Sequence, residues 1–394
     1  MQQYRPILNS IAAQQSTLLR RLTDWSKINS FTENPAGVAM QIDAISKVAA
    51  NLGGEMKILN LPPWIGIDAR GVEKENPVGP ALSVIKRPDA PLHVFLCIHA
   101  DTVYPKNFPA EVRGEKLFGP GVADAKGGLV VMLAALEALE QSPFASRIGW
   151  EMLVNPDEEI GSPSSADLFT QAASRNDFGL LFEPALPDGA LVDRRKGSGH
   201  FSLIVRGKSA HAGRDFASGR SALVAAADAV LKLHALNSAR VTVNIGSIDG
   251  GGPANVVPDL AIVRINCRTT EIEDEMLLRN GFDQVVAELN QRDGITAELH
   301  GKFAAPPKIL SPANQALLDS AVIAARDLGM NIATRPSGGT CDGNRLAKMG
   351  LPNIDSLGVV GGNLHSPDEY MEIPSLVHRA QIATLLLLRL AEKS

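Results

Sequence analysis

Five short stretches place acids and imidazoles at the ends of apolar runs or in the turns and loops beside them. In "LCIHADTVYP" the run ends in His99-Ala100-Asp101, and the period of two in extended backbone sends both polar side chains to one face. A neutral imidazole with a carboxylate beside it is an arrangement that fixes a metal-binding tautomer. In "LFGPGVADAKGGLVVM" Asp124 stands between a Gly-rich turn and a helix start; alone, it reads as a helix N-cap. "NPDEEIGS" and "LLFEPALP" each put glutamate at a strand end, Glu158 or Glu159 in the first and Glu183 in the second. Adjacent side chains on extended backbone point to opposite sides, so Glu158 and Glu159 are free to serve different tasks. Far downstream, "GGNLHSPDEY" offers His365 in a loop.

Singly, each residue has a bland explanation as a cap or a solvated loop. Together, His99, Asp124, Glu159, Glu183 and His365 supply two imidazoles and three carboxylates. That nitrogen and oxygen set suits two Zn²⁺ ions bridged by one carboxylate. Glu158 is left over, and a spare carboxylate is what a hydrolytic metal site requires as a general base. Asp157 has no assignment beyond a loop or supporting contact. The Lys-Gly pair after Asp124 lacks the GxxxxGK[ST] spacing of a phosphate loop, so that chemistry is excluded.

The elements that must hold these residues follow from hydrophobic period. Two amphipathic helical stretches open the chain, around residues 5 to 28 and 35 to 52, the second stopped by Gly53-Gly54. Strands and helices then alternate: "ALSVIKR", "HVFLCIHAD", the helix "KGGLVVMLAALEALEQ", "RIGWEMLVN", a helix near 163 to 175, and "FGLLFEP". Strands apolar on both faces predict a mostly parallel sheet covered by helices on both sides, an α/β domain. From about Gly197 the pattern becomes β-α-β-β-α-β, the ferredoxin-like α+β order, and the pair Pro306-Pro307 ends it. A helix over 312 to 329, a Gly-rich loop and a closing helix from Pro374 return to the first domain. The predicted division is therefore 1–194 with 307–394 as one domain and 195–306 inserted into it.

Composition narrows the function classes. At 394 residues the length favours two domains, and 45% hydrophobic with 21% charged residues is ordinary globular usage. A net charge of −5 and no basic run longer than "DRRK" argue against a nucleic-acid partner. No stretch approaches the ~20 apolar residues of a membrane span, and the N-terminus lacks the apolar core of a secretory signal. Cys97, Cys267 and Cys341 are scattered without CxxC spacing, which indicates neither a disulfide framework nor a zinc ribbon and leaves the cytoplasm as the expected location.

Read in order, "HADTVYP", "GPGVADAKGG", "NPDEEIGS", "FEP", "RKGSGHFSLIVRGKSAHAG", "GGGPANVVPD", "CRTT", "SGGTCDGN" and "LHSPDEY" span nearly the whole chain. They resemble the zinc aminoacylase, acetylornithine deacetylase and glutamate carboxypeptidase family, nearest its glutamate carboxypeptidase branch. The resemblance implies that His99 and Glu183 hold one zinc, Glu159 and His365 the other, and Asp124 bridges them, with Co²⁺ or Mn²⁺ as substitutes. It makes Asp101 the residue that orients His99 and Glu158 the general base, and it implies a cis peptide at Asp124-Ala125. It also implies a homodimer formed through the inserted domain, in which His211 reaches the partner subunit's site and polarises the scissile carbonyl. Asn255 and Arg268 would hold the free carboxylate of the substrate, and Gly338 with Gly339 would form its backbone-binding loop. The expected substrate is a small peptide or N-acyl amino acid. An N-acyl amino acid deacylase such as an acetylornithine deacetylase, with the same metals and a different pocket, is the closest rival, since Arg268 and Asn255 fit a free α-carboxylate in either substrate class, and a non-catalytic binding protein on the same scaffold is the rival from another class.

Overall fold

Leu92–His99 and Ile148–Asn155 are apolar along nearly their whole length, so each must be covered on both faces. In the computed structural model of the protein, which describes residues 1–393, they are. Val94, Leu96 and Ile98 point into the main core, whereas Phe95 and Cys97 point into a second cluster with Phe169 and Leu346. The sheet has six strands in the order Glu55–Leu59, Ala81–Lys86, Ile148–Asn155, Leu92–His99, Phe178–Leu181, Asn353–Ile354. The last four run parallel, and Ala81–Lys86 runs against its neighbours. Lys126–Glu140, almost wholly buried, packs between the sheet, Gln15–Ser26 and the closing helix Ile373–Lys393. Among the described residues no helix is long and apolar enough to cross a membrane.

Register brings the chemistry together. His99 pairs with Asn155 and Cys97 with Leu181, so three adjacent parallel strands end side by side. The residues just past those ends carry Asp101, Glu158, Glu159 and Glu183, at the sheet edge where open α/β sheets gather ligands.

Residues 197–305 form a second, antiparallel sheet in the order Val241–Gly250, Leu260–Thr269, Gly197–Arg206, Thr296–Ala305. The helices Ala222–His234 and Ile272–Asn290 cover one face of it around Phe201, Leu203, Val263 and Phe282. Among the described residues no helix covers the other face. The two chain crossings lie together: Arg195 and Lys308 pair backbone to backbone at 3.2 and 2.9 Å. Their side chains converge on buried Asp355, at 2.9 Å from Arg195 and 2.6 Å from Lys308.

Three local expectations change. The first helical stretch is two helices, Arg5–Ala13 and Gln15–Ser26, interrupted at Gln14. A hairpin, Trp64–Ile67 with Glu73–Asn76, leaves the first domain and leans on the second. Arg264 donates to the Ile67 carbonyl at 2.7 Å and Arg206 to that of Gly71 at 2.9 Å, so its strands are held from across the cleft as much as by each other. Finally, Glu158–Ile160 is a 3₁₀ turn and not extended backbone. Successive residues there diverge by about 120° around the turn, which separates the two glutamates by a different geometry from the one expected.

Candidate metal centre

Each acid and imidazole is placed by the element it terminates. His99 is the last residue of its strand and buried to 1% exposure. Its Nδ1 lies 3.0 Å from the Asp101 carbonyl and 3.3 Å from the Asp101 carboxylate. Both are acceptors, so Nδ1 carries a proton, which leaves Nε2 as the nitrogen a cation would meet. That Nε2 faces Asp124 Oδ1 at 3.1 Å and Glu183 Oε2 at 3.7 Å. His365, in the loop between Gly361–Gly362 and Tyr370–Glu372, has φ 62°, a left-handed conformation uncommon outside glycine. Its Nε2 lies 3.3 Å from Asp124 Oδ2 and 3.3 Å from Glu159 Oε2.

Asp124 thus offers one oxygen to each imidazole. His99, Asp124 and Glu183 form one triad and Asp124, Glu159 and His365 another, each with ligand atoms within 4.8 Å of one another. The peptide joining Asp124 to Ala125 is cis, in agreement with the resemblance.

The donor set fits divalent cations on two further grounds. Glu159 Oε1 is buried and has no hydrogen-bond partner among the described residues, and an orphaned carboxylate oxygen is costly unless something else meets it. The carboxylates also burden one another. Removal from water and the Glu183 charge push Glu158 well above the usual carboxylate range. Burial and Asp124 push Glu159 up to about 7, and burial raises Glu183. Asp124 goes the other way: burial opposes its charge, but His365 and His99 hold it down. A dication between the triads reverses the penalty on the raised groups.

Further buried contacts fix the residues of the two triads, and most of them escape sequence reasoning. Asp101 accepts the backbone N–H of Glu158 and of Glu159, both at 3.2 Å, and the Thr32 hydroxyl at 2.7 Å. One carboxylate therefore sets both the His99 tautomer and the turn that carries the two glutamates. Glu369, fully buried, accepts the N–H groups of Gly121, Ala123 and Asp124 at 3.2, 2.8 and 2.9 Å, and the Tyr104 hydroxyl. Asp157 is also placed: it accepts the N–H of Ser164 at 2.7 Å and the Ser165 hydroxyl, closing the loop after the turn. Glu369 stands four residues after His365 in "LHSPDEY"; an acid in that block was its only signal.

Two connecting cavities meet at Glu158 and Glu159. One, of about 330 Å³, is lined by Asp124, Glu183, Arg195, Gly339 and His365. The other, of about 200 Å³, adds Arg268, Ser198 and His200 from the inserted sheet, while Thr340 of the Gly-rich loop lines both. Arg268 Nη1 reaches the Thr340 hydroxyl at 3.0 Å. Gly338 faces a different cavity, beside Lys308. His211 and Asn255 lie together, with Ala212 N–H donating to the Asn255 carbonyl at 2.9 Å, but neither lines the metal-centre cavities. The His211 Nδ1 accepts from Gly213 and Arg214, both at 3.1 Å, which puts its proton on the exposed Nε2.

Residues 95–389 match the sequence pattern of peptidase family M20/M25/M40. The chain is 31% identical over 318 residues to carboxypeptidase G2 of Pseudomonas sp., covering 76% of this chain and 74% of that protein. It is 27% identical over 309 residues to the succinyl-diaminopimelate desuccinylase of Gluconobacter oxydans, covering 72% and 78%. Among solved structures, an M20 family metallo-carboxypeptidase from Sulfolobus solfataricus superposes with a TM-score of 0.76 at 16% identity, over 94% of this chain and 98% of that one.

Proposed function

The chain belongs to peptidase family M20/M25/M40 and is a metal-dependent hydrolase, and on that premise we propose that it cleaves the amide bond of a peptide or N-acyl amino acid carrying a free carboxylate. The observation that supports this most is the pair of triads sharing Asp124, with Glu158 on the wall of the same cavity. His99 and Glu183 would hold one Zn²⁺, Glu159 and His365 the other, with Asp124 between them. Bound there, the two cations would acidify a water and polarise the scissile carbonyl.

The chain's own residues do the rest. Glu158, whose charge is disfavoured by its surroundings, takes the proton of the attacking water and then gives it to the leaving nitrogen, base first and acid second. Arg268, braced on Thr340, offers its guanidinium fork to the substrate carboxylate. Gly339 presents backbone to the same cavity. Asn255 and His211 would act from a partner subunit in a homodimer built on the inserted domain 195–306, with 1–194 and 307–394 as the catalytic domain. The exposed His211 Nε2–H is a donor suited to a developing oxyanion. All three cysteines are buried and free, which supports a cytoplasmic setting.

The test is a hydrolysis screen with Zn²⁺, Co²⁺ and Mn²⁺ across C-terminal dipeptides, folate-like conjugates and acetyl or succinyl amino acids. Release of an amino acid from at least one class is expected. Two bound zinc ions with no hydrolysis of any acylated amino acid would overturn the reading in favour of a binding protein. For the shared site, mixing inactive His211→Ala and Glu158→Gln chains should restore activity, and its absence would remove His211 from the mechanism.

A further inference from the structure

A cavity of about 450 Å³ lies at the two chain crossings, where the backbones of Arg195 and Lys308 pair, and the proposed reaction makes no use of it. Its other walls come from residues 336–338 and from the turn Thr270-Glu271, which follows the strand Leu260–Thr269 of the inserted sheet. Arg195 and Ser337 also line the metal-centre cavity, so these two residues divide one space from the other. Gly338, which the family resemblance places with the substrate, lies on the far side of that partition. A Cβ at Gly338 would meet no atom within 4 Å, so the space beside it is open.

Four cations line this cavity, and their heads are not equivalent. Arg195 and Lys308 turn theirs to buried Asp355, at 2.9 and 2.6 Å. Arg194 and Lys196 stand on either side of Arg195 in extended backbone, which sends their side chains to the same side, opposite to that of Arg195. Arg194 Nε lies 3.3 Å from Asp193, and its two terminal nitrogens have no partner among the described residues. Lys196 is half-buried. Its N–H donates to the Ser337 carbonyl at 3.3 Å and its carbonyl accepts from Asn344 at 3.0 Å, but its ammonium has no partner among the described residues. Glu271 is the one acid among the residues that line the cavity, and its carboxylate caps the helix Ile272–Asn290 by accepting the Asp274 N–H. Two unpaired cationic heads therefore face one occupied carboxylate. Ile309, 48% exposed, and Pro336 add an apolar surface beside them.

We propose that this cavity is a second ligand site, separate from the metal centre, for a small carboxylate with an apolar body. Two residues of extended backbone span about 7 Å, so the Arg194 and Lys196 heads can both reach one carboxylate. The guanidinium fork matches its planar pair of oxygens, and the ammonium adds a point charge. The apolar body lies on Ile309 and Pro336, in the space that Gly338 leaves open. Inorganic phosphate would meet the same cations and leave that surface bare. The inference stands on this cavity alone and does not depend on the hydrolase reading.

The probe is 3-phenylpropionate, titrated by calorimetry into the full-length, zinc-loaded protein in parallel with its uncharged amide, acetate and inorganic phosphate. It should bind about tenfold or more tightly than each of the three, since the amide lacks the charge-assisted contacts and the small anions lack the apolar burial. The double variant Arg194→Gln, Lys196→Gln should weaken that binding about tenfold by removing both charges. Gly338→Leu should weaken it by filling the space, and Arg268→Gln, at the metal-centre cavity, should leave it unchanged. If Gly338→Leu fails to fold, the double variant decides alone. Absence of binding at millimolar concentration, or an amide, acetate or phosphate that binds as tightly as the probe, overturns the inference. So does binding that Arg268→Gln removes and the double variant leaves intact, which would put the carboxylate at the metal centre.

Discussion

Replacing Glu369 by alanine should damage both the fold and the metal centre, by amounts that can be worked from its contacts. The carboxylate meets three backbone N–H groups, of Gly121, Ala123 and Asp124, and the Tyr104 hydroxyl, and it is fully buried. Alanine leaves those donors without an acceptor in a dry site, at roughly 1–3 kcal/mol each. Water entering the vacated space recovers part of this, so the net loss should be about 4 kcal/mol, read as a lower urea midpoint at constant slope. The second effect is on function. Asp124 is shared by both triads, and its amide is one of the groups that Glu369 fixes, so zinc affinity measured by chelator competition should fall about 10- to 100-fold. Asp368→Ala, next door and exposed, should change stability by no more than about 0.5 kcal/mol. A Glu369→Ala protein that loses stability and keeps its zinc affinity would show that Glu369 supports the fold and not the metal centre. One that loses less than about 1 kcal/mol would refute the hydrogen-bond reasoning itself.

Two other perturbations test separate parts of the molecule. Glu158→Gln should keep the zinc content of the wild type and lower kcat by about 10²- to 10⁴-fold, the usual yield of a general base, while Glu159→Ala should lose zinc by elemental analysis; unchanged turnover in Glu158→Gln would sink the assignment. At the domain crossing, burial opposes ionisation of Asp355, but Arg195 and Lys308 hold its carboxyl down at about 2. A depressed folded value means stability that is present above the unfolded value of about 3.9 and lost as pH falls from there through the folded one, worth roughly 2–3 kcal/mol. Denaturation midpoints should therefore drop between about pH 4 and pH 2 in the wild type, and Asp355→Asn, less stable at neutral pH, should flatten that slope; parallel profiles would refute it.

What the sequence made legible were the places where a strong pattern stops. "VFLCI" can only be a covered strand, and the polar residues that follow must emerge at its end, so His99, Asp101, Glu183 and the acids of "NPDEEIG" could be grouped before any coordinates. The ferredoxin-like order was equally visible, because alternation in "LAIVRINCRTT" differs in period from the helices around it. Backbone amides, however, leave no trace in a sequence. Glu369 works by accepting three of them, and nothing in "SPDEY" says that its partners lie some 245 residues earlier. Thr32 is illegible for the same reason, being a hydroxyl that meets Asp101 only once the N-terminal segment has packed. The hairpin Trp64–Asn76 was missed because much of its support comes from Arg206 and Arg264 across the cleft, a tertiary cause that local propensity does not carry.

The crowding of acids in "NPDEEIG" shows how such a cluster is made tolerable. Asp157 turns inward and spends its charge on the amide and hydroxyl donors of Ser164 and Ser165. The 3₁₀ turn then rotates Glu159 towards His365 and leaves Glu158 on the cavity wall facing Arg268. Asp101 grips the amides of both glutamates while its other contact fixes His99. His99 of one triad, Glu159 of the other and the proposed base are thus indexed to a single buried carboxylate. Sharing one anchor keeps their relative positions when the larger parts of the protein shift, which two ions bridged by one aspartate would demand, since a movement of either triad alone would pull Asp124 away from the other.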